Sequence, residues 1–294
     1  MTSKALTFCL RLSTTVVLWV VILSAILAGY EVGFFLVILG IALAALWEFF
    51  GMLKAAGIPH FRLTGMLTAA VFLTGSFWYS RAQGPGAGQE FELAVVVLFL
   101  MTVFARQMFR SIHDKEPLAT MAYTVFGLLY IPWMFNFLTK LLFLTPRTDL
   151  GETTGQYYVL FLILVTKFTD MGAYFFGMLF GRHPMAPHIS PKKTWEGFAG
   201  AMVGALVGSF GLYALIPERL ALFSWGDVAF LGAFLGFAAI VGDLAESIIK
   251  RSTQAKDSSH VLPGIGGTLD LVDSILFTAP LLYFYMRLVL GVGS

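Results

Sequence analysis

The chain has 294 residues, of which 58% are hydrophobic and only 12% charged, and its mean hydropathy is +0.82. Soluble domains carry about 25% charged residues, and a soluble core at this length cannot hide so much apolar surface, so a water-soluble globule is excluded and a bilayer is the expected solvent. A net charge of +2 is too small to point to nucleic acid, the single cysteine (Cys9) excludes an internal disulfide, and the five histidines (His60, His113, His183, His188, His260) lack zinc-type spacing.

Apolar runs near spanning length recur along the sequence. The expected spans are Ser13–Ala28, Val32–Leu53, Leu63–Tyr79, Phe91–Ala105, Leu118–Leu138, Tyr157–Phe180, Phe198–Ile216, Val228–Ile249 and Leu271–Leu290. The first follows Lys4 and Arg11 and is longer than a signal-peptide core, so it is read as a retained helix. The third and fourth are short against the ~20 residues that a crossing helix needs. Backbone groups in lipid must be satisfied within their own segment, so the spans are helices. Pro132 is expected to kink the fifth. The stretch Arg81–Glu90, RAQGPGAGQE, reads as a flexible outer loop.

With the N-terminus in the cytoplasm, 13 of the 19 basic residues fall in cytoplasmic segments and four (Arg81, Lys140, Arg147, Arg219) on the opposite side. Basic residues in short loops stay cytoplasmic, which favours this orientation. The expected fold is therefore all-α: a polytopic integral membrane helical bundle of about nine transmembrane helices, N-in and C-out. The first five spans look almost bare of intramembrane charge, and the character changes from Lys167 onward. Residues 1–150 read as a scaffold half and 151–294 as a catalytic half of one membrane domain, without a clean boundary.

Four segments carry the chemistry. In the sixth span, Asp170 is costly among lipids, and Lys167 stands one turn earlier. The two either pair as a helix-holding bridge or line a polar cavity. Next, Ile189–Gly197 reads as a loop in which Ser190, Lys192, Lys193 and Thr194 suit phosphate, with a helix N-terminus behind them. The alternative is a basic loop that touches lipid headgroups. Third, Asp243, Ser247, Lys250 and Arg251 share one helix face, with Glu246 beside them. That stripe suits a metal at Asp243 and phosphates at Lys250 and Arg251, or a snorkelling helix end. Fourth, a glycine-rich stretch containing Gly264, Gly266 and Gly267 precedes Asp270 and Asp273, which lie three apart at the start of the last span. Two such carboxylates can hold Mg²⁺, and one alone would suit the helix dipole. Phosphate-binding cations, metal-binding acids and glycine turns, all opening toward the side that holds nucleotides, point to an enzyme of phosphate chemistry at the membrane face.

The stretch from Ser247 to Asp273, SIIKRSTQAKDSSHVLPGIGGTLDLVD, resembles the signature of phosphatidate cytidylyltransferases (CDP-diacylglycerol synthases). Ser247, Lys250, Arg251, Lys256, Asp257, Pro263, Gly264, Gly266, Gly267, Asp270 and Asp273 match it. The segments TDMGAYFFG and SPKKTWEG look like the same family. Ile265 and Leu271 stand where the family usually has His and Arg. The resemblance implies transfer of CMP from CTP to phosphatidate, with Mg²⁺ and room for a second cation. It implies Asp243, Asp270 and Asp273 as metal ligands and, with Lys250, as the catalytic set. Asp170, Ser190, Lys192, Lys193, Thr194, Ser247, Arg251, Lys256, Asp257, Gly264, Gly266 and Gly267 would surround the substrates. The N-in charge pattern suits a bacterial inner membrane with the site facing the cytoplasm; the partners implied by the resemblance are CTP, phosphatidate and membrane lipid, with a homodimer allowed and no nucleic acid. Three other readings stay open: a related enzyme with another phospholipid acceptor, an ion or solute transporter using the intramembrane charges, and an inactive relative.

Overall fold

The computed structural model describes residues 20, 24, 29–110, 116–145, 154–254 and 267–293. The expected first span, Ser13–Ala28, therefore lies outside the described residues apart from positions 20 and 24. So do Lys256, Asp257, Gly264 and Gly266.

Long apolar runs become long helices: α1 (Glu31–Ala55), α2 (Arg62–Gln83) and α3 (Pro85–Met108), then α4 (Pro117–Leu128) and α5 (Met134–Leu144), which are joined by a π-helical turn over Leu129–Trp133. After these come α6 (Gly155–Phe180), a hairpin of β1 (Pro184–Ala186) and β2 (Ser190–Thr194), α7 (Trp195–Leu215), α8 (Trp225–Ser252) and α9 (Thr268–Phe284). A second π-helical turn, Tyr285–Val289, extends α9. Seven of these runs are long and apolar enough to cross a membrane, so this is an all-α polytopic membrane protein. They are α1, Gly88–Met108, Pro117–Leu144, α6, α7, α8 and Thr268–Val289; α2 is not among them.

Several expectations change. The predicted outer loop Arg81–Glu90 is almost entirely helical, because α2 runs to Gln83 and α3 starts at Pro85. Gly84 makes the turn alone at φ 86°, a conformation open to glycine, and proline suits the first helical position. The third and fourth expected spans thus lie within helices of 22 and 24 residues, and of these two only the fourth, over Gly88–Met108, is apolar enough to cross. Pro132 sits inside the π-helical turn, whose wider hydrogen-bond spacing accommodates the missing N–H within a continuous 28-residue run. The Ile189–Gly197 segment is no simple loop. Ser190–Thr194 pairs antiparallel with Pro184–Ala186, and Thr194 Oγ1 caps α7 by accepting from Gly197 N at 3.1 Å.

The described residues fall into two compact units. The first holds those up to Phe143 and those of Ser252–Val272; the second holds Leu144–Arg251 and those from Asp273 onward. In the first, Phe49, Phe50, Phe61, Phe72, Phe77, Leu46 and Leu73 are fully buried, and Phe35 stacks on Phe77 at 4.3 Å. This unit is not bare of intramembrane charge. Lys140, expected in an outer loop, is buried in α5, with Nζ 2.6 Å from Oε2 of Glu92 in α3. Ser76 Oγ donates to Glu92 Oε1 at 2.6 Å, and Asn136 Nδ2 donates to both Ser76 Oγ and Glu92 Oε1.

In the second unit, α6 and α7 touch backbone to backbone. A Cβ on Gly172 would stand 2.2 Å from the carbonyl oxygen of Gly200, and one on Gly204 would stand 2.2 Å from that of Phe168. Small residues at four-residue intervals let helices in lipid approach this closely, and Gly200, Gly204 and Gly208 supply that spacing on α7.

Candidate active site

Within the second unit, α6, the hairpin, α8 and α9 bring four groups of charged residues together. On α8, Asp243 and Glu246 lie one turn apart; on α9, Asp273 follows the helix start. Carboxylate oxygens of these three residues lie within 4.8 Å of one another. Glu246 and Asp273 are buried, whereas the Asp243 side chain is 43% exposed and forms the open edge. The helices meet here because residue 242 is glycine: a Cβ there would stand 2.7 Å from the carbonyl oxygen of Asp273.

Two ammonium groups border the cluster. Lys193 Nζ, carried by β2, lies 2.8 Å from Asp243 Oδ2, and Lys250 Nζ, one turn along α8, lies 2.9 Å from Glu246 Oε2. Asp273 Oδ1 accepts from its neighbour Ser274 N at 2.6 Å, and among the described residues no basic side chain forms an ion pair with it. Lys167 and Asp170 pair at 3.1 Å on α6, within electrostatic range of Asp273. The pair forms within α6 alone, so it bridges no two helices, and it leaves Asp170 beside the cluster. Arg251 Nε donates to Ile189 O at 3.2 Å, which pins the hairpin to the end of α8. Glu196 Oε2 accepts from the backbone N–H groups of Arg182 and His183 at the hairpin's entry.

The sequence-derived residues divide accordingly. Asp243, Asp273, Lys193 and Lys250 converge, and Ser247 lies half-buried on α8 one turn beyond Asp243. Ser190 begins β2, and Lys192 is exposed on that strand. Thr194 Oγ1 accepts from Gly197 N as the cap of α7, which leaves its O–H able to donate. Asp270 Oδ2 accepts from Gly267 N at 2.9 Å, so this carboxylate closes the first turn of α9. Glu246 joins the carboxylate group, although the sequence reading gave it no role; its place three residues after Asp243 was the available signal.

Three carboxylates in a partly buried site repel one another unless cations balance them. The two lysines balance two of them. A hard divalent cation, which takes carboxylate oxygens and keeps positions for phosphate oxygens, fits the donor set that is left. Such a site can hold a metal, gather phosphate groups around it and neutralise their charge.

Comparison with known proteins agrees with this chemistry. The profile of the Cytidylyltransferase family matches residues 9–289, so the chain belongs to that family. The phosphatidate cytidylyltransferase of Bacillus subtilis is 33% identical over 283 residues, covering 95% of this chain and 97% of its own. That of Haemophilus influenzae is 30% identical over 288 residues, covering 94% and 97%. That of Chlamydia trachomatis is 36% identical over 190 residues, covering 63% of this chain and 61% of its own.

Proposed function

We propose that this protein transfers CMP from CTP to phosphatidate, giving CDP-diacylglycerol and pyrophosphate. The observation that carries the reading is the convergence of Asp243, Glu246 and Asp273 within 4.8 Å, bordered by Lys193 and Lys250, in a chain that matches phosphatidate cytidylyltransferases over nearly its whole length.

In the reaction an oxygen of the phosphatidate phosphate attacks the α-phosphorus of CTP. The new P–O bond forms as the bond to the β-phosphate oxygen breaks, and pyrophosphate leaves with the electron pair. The attacking phosphate monoester is already largely ionised at neutral pH, so no strong general base is needed. Two polyanions must meet, so neutralisation and alignment dominate catalysis. Asp243, Glu246 and Asp273 would hold Mg²⁺, which when bound supplies charge neutralisation across the phosphates of both substrates. Lys193 and Lys250 exchange their carboxylate partners for phosphate oxygens as substrate arrives. Lys192 and Arg251, both exposed, extend the cationic surface toward the nucleotide or the headgroup. Asp270 is the candidate for a second cation. The setting proposed is a bacterial inner membrane, N-terminus inward and site facing the cytoplasm. A homodimer would be read out by cross-linking in native membranes.

The deciding experiment is pyrophosphate release by purified protein in detergent with CTP, phosphatidate and Mg²⁺, with Asp273→Asn as control. Release that requires all three components and vanishes in the variant is the expected result. Release with a different phospholipid in place of phosphatidate would redirect the acceptor. No release from folded protein offered several phospholipids would overturn the enzyme reading.

A further inference from the structure

Glu48 lies in α1 among apolar neighbours, Leu46, Phe49 and Phe50, and is only 2% exposed. A carboxylate in such a segment is costly unless a specific partner holds it. Its Oε2 accepts from the backbone N–H of Leu269 at 2.9 Å, across 221 residues of chain. Leu269 is the second residue of α9, and the opening N–H groups of a helix have no partner inside the helix. Gly267 N–H, just ahead, is taken by Asp270 Oδ2. Two carboxylates therefore satisfy the start of α9, one local and one delivered from α1. Negative charge at this helix end also meets the positive pole of the dipole.

The consequence reaches beyond helix stability. Helix α9 follows the glycine-rich stretch and carries Asp270 and Asp273 within its first six residues. Each residue of a helix turns by about 100° and rises about 1.5 Å, so fraying or slipping by one residue at Leu269 would swing both carboxylates away. We propose that Glu48 is a positioning residue for the transfer reaction: by holding Leu269 N–H it fixes the rotation and starting point of α9, and through that helix the aim of Asp270 and Asp273. Glu48 touches no reacting atom in this role. The inference rests on the function proposed above, but its structural half can be tested alone.

The experiment compares unaltered protein, Glu48→Gln and Glu48→Ala in detergent, each first checked for monodispersity and thermal midpoint. Two readouts are taken: amide hydrogen exchange over 267–272, and the dependence of pyrophosphate release on Mg²⁺ and CTP. Glutamine keeps an acceptor oxygen, so Glu48→Gln should exchange slowly and retain most activity. Glu48→Ala should exchange faster over 267–272 alone, and should raise the Mg²⁺ requirement or lower kcat by about 10–100-fold, the range for groups that orient a metal ligand. KM for CTP should move much less. A folded Glu48→Ala protein with unchanged exchange over 267–272, or with an unchanged Mg²⁺ requirement and kcat in an active preparation, would overturn the proposal. Should the unaltered protein release no pyrophosphate, the functional reading fails separately, and the exchange arm decides whether Glu48 holds α9.

Discussion

The two units each bury charge, and they do so in opposite ways. In the first, Glu92 and Lys140 form a close pair at 2.6 Å, and Ser76 and Asn136 add hydrogen bonds to the carboxylate. That group is balanced, so it has little electrostatic reason to recruit an ion. In the second, Asp243, Glu246 and Asp273 crowd within 4.8 Å with two lysines at their border. That group keeps an excess of negative charge, which a bound cation would complete. A charge inside a membrane helix is therefore not by itself a mark of catalysis; the imbalance of its neighbourhood is the better sign.

This contrast can be broken by experiment. The largest effect is expected at Asp273→Asn. Pyrophosphate release should fall by at least about a thousandfold, because metal-borne charge stabilisation is worth several kcal/mol. In EDTA the same variant should melt no lower than the unaltered protein, since removing one of three like charges relieves repulsion. A lower melting point would mean that Asp273 is structural. Next comes Lys140→Met, which strands Glu92 and should destabilise the fold by about 3–5 kcal/mol in denaturant titrations. Adding Glu92→Gln should recover most of that loss, and turnover per folded molecule should hold throughout. If the double variant is as unstable as the single, the pair is not the balanced unit described.

Lys193→Ala gives a smaller effect. Withdrawing the ammonium from Asp243, which is 43% exposed, should tighten Mg²⁺ binding in the absence of nucleotide by about two- to fivefold, the scale of a partly solvated pair. Titration calorimetry reads this directly, and weaker binding would refute the competition. Smallest is the pH response of His60, in the connection between α1 and α2. Burial pushes its imidazole below the ordinary value, against the opposing effect of its bond to Ile58 O, and nearby Arg62 and Lys54 push the same way as burial. Protons then bind the unfolded chain more readily, so stability is full above the ordinary value and falls as pH drops toward the folded one. The thermal midpoint should decline slightly between pH 7 and pH 5, and His60→Gln should flatten that slope.

How much of this was legible in the sequence follows from the range of each interaction. Apolar runs announced the helices, because composition alone decides what a bilayer admits. Helix ends were misjudged where one residue made the turn: Gly84 replaced a ten-residue loop, because the polar letters around it stayed helical. Lys140 looked like a loop cation because its partner, Glu92, is 48 positions away and no local pattern ties them. The hairpin was hidden because Pro184–Ala186 and Ser190–Thr194 lack the apolar alternation that marks strands. Asp273 was legible through a long family-like motif and Asp243 through the polar helix face it shares with Lys250, whereas Glu246, three residues on, was passed over because spacing alone gives a carboxylate no role. The bond from Glu48 to Leu269 was not, since nothing within α1 specifies a partner 221 residues away.

The glycine seam between α6 and α7 carries a consequence in genetic terms. Every single-nucleotide change to a glycine codon that alters the residue adds at least a methyl group. At Gly172 and Gly204 that group would meet a backbone oxygen at 2.2 Å, and backbone, unlike a side chain, has no other rotamer to adopt. No graded series of replacements leads away from these positions. Variants surviving random mutagenesis should be depleted at 172 and 204 as strongly as at the carboxylates, although a glycine brings no side-chain chemistry of its own.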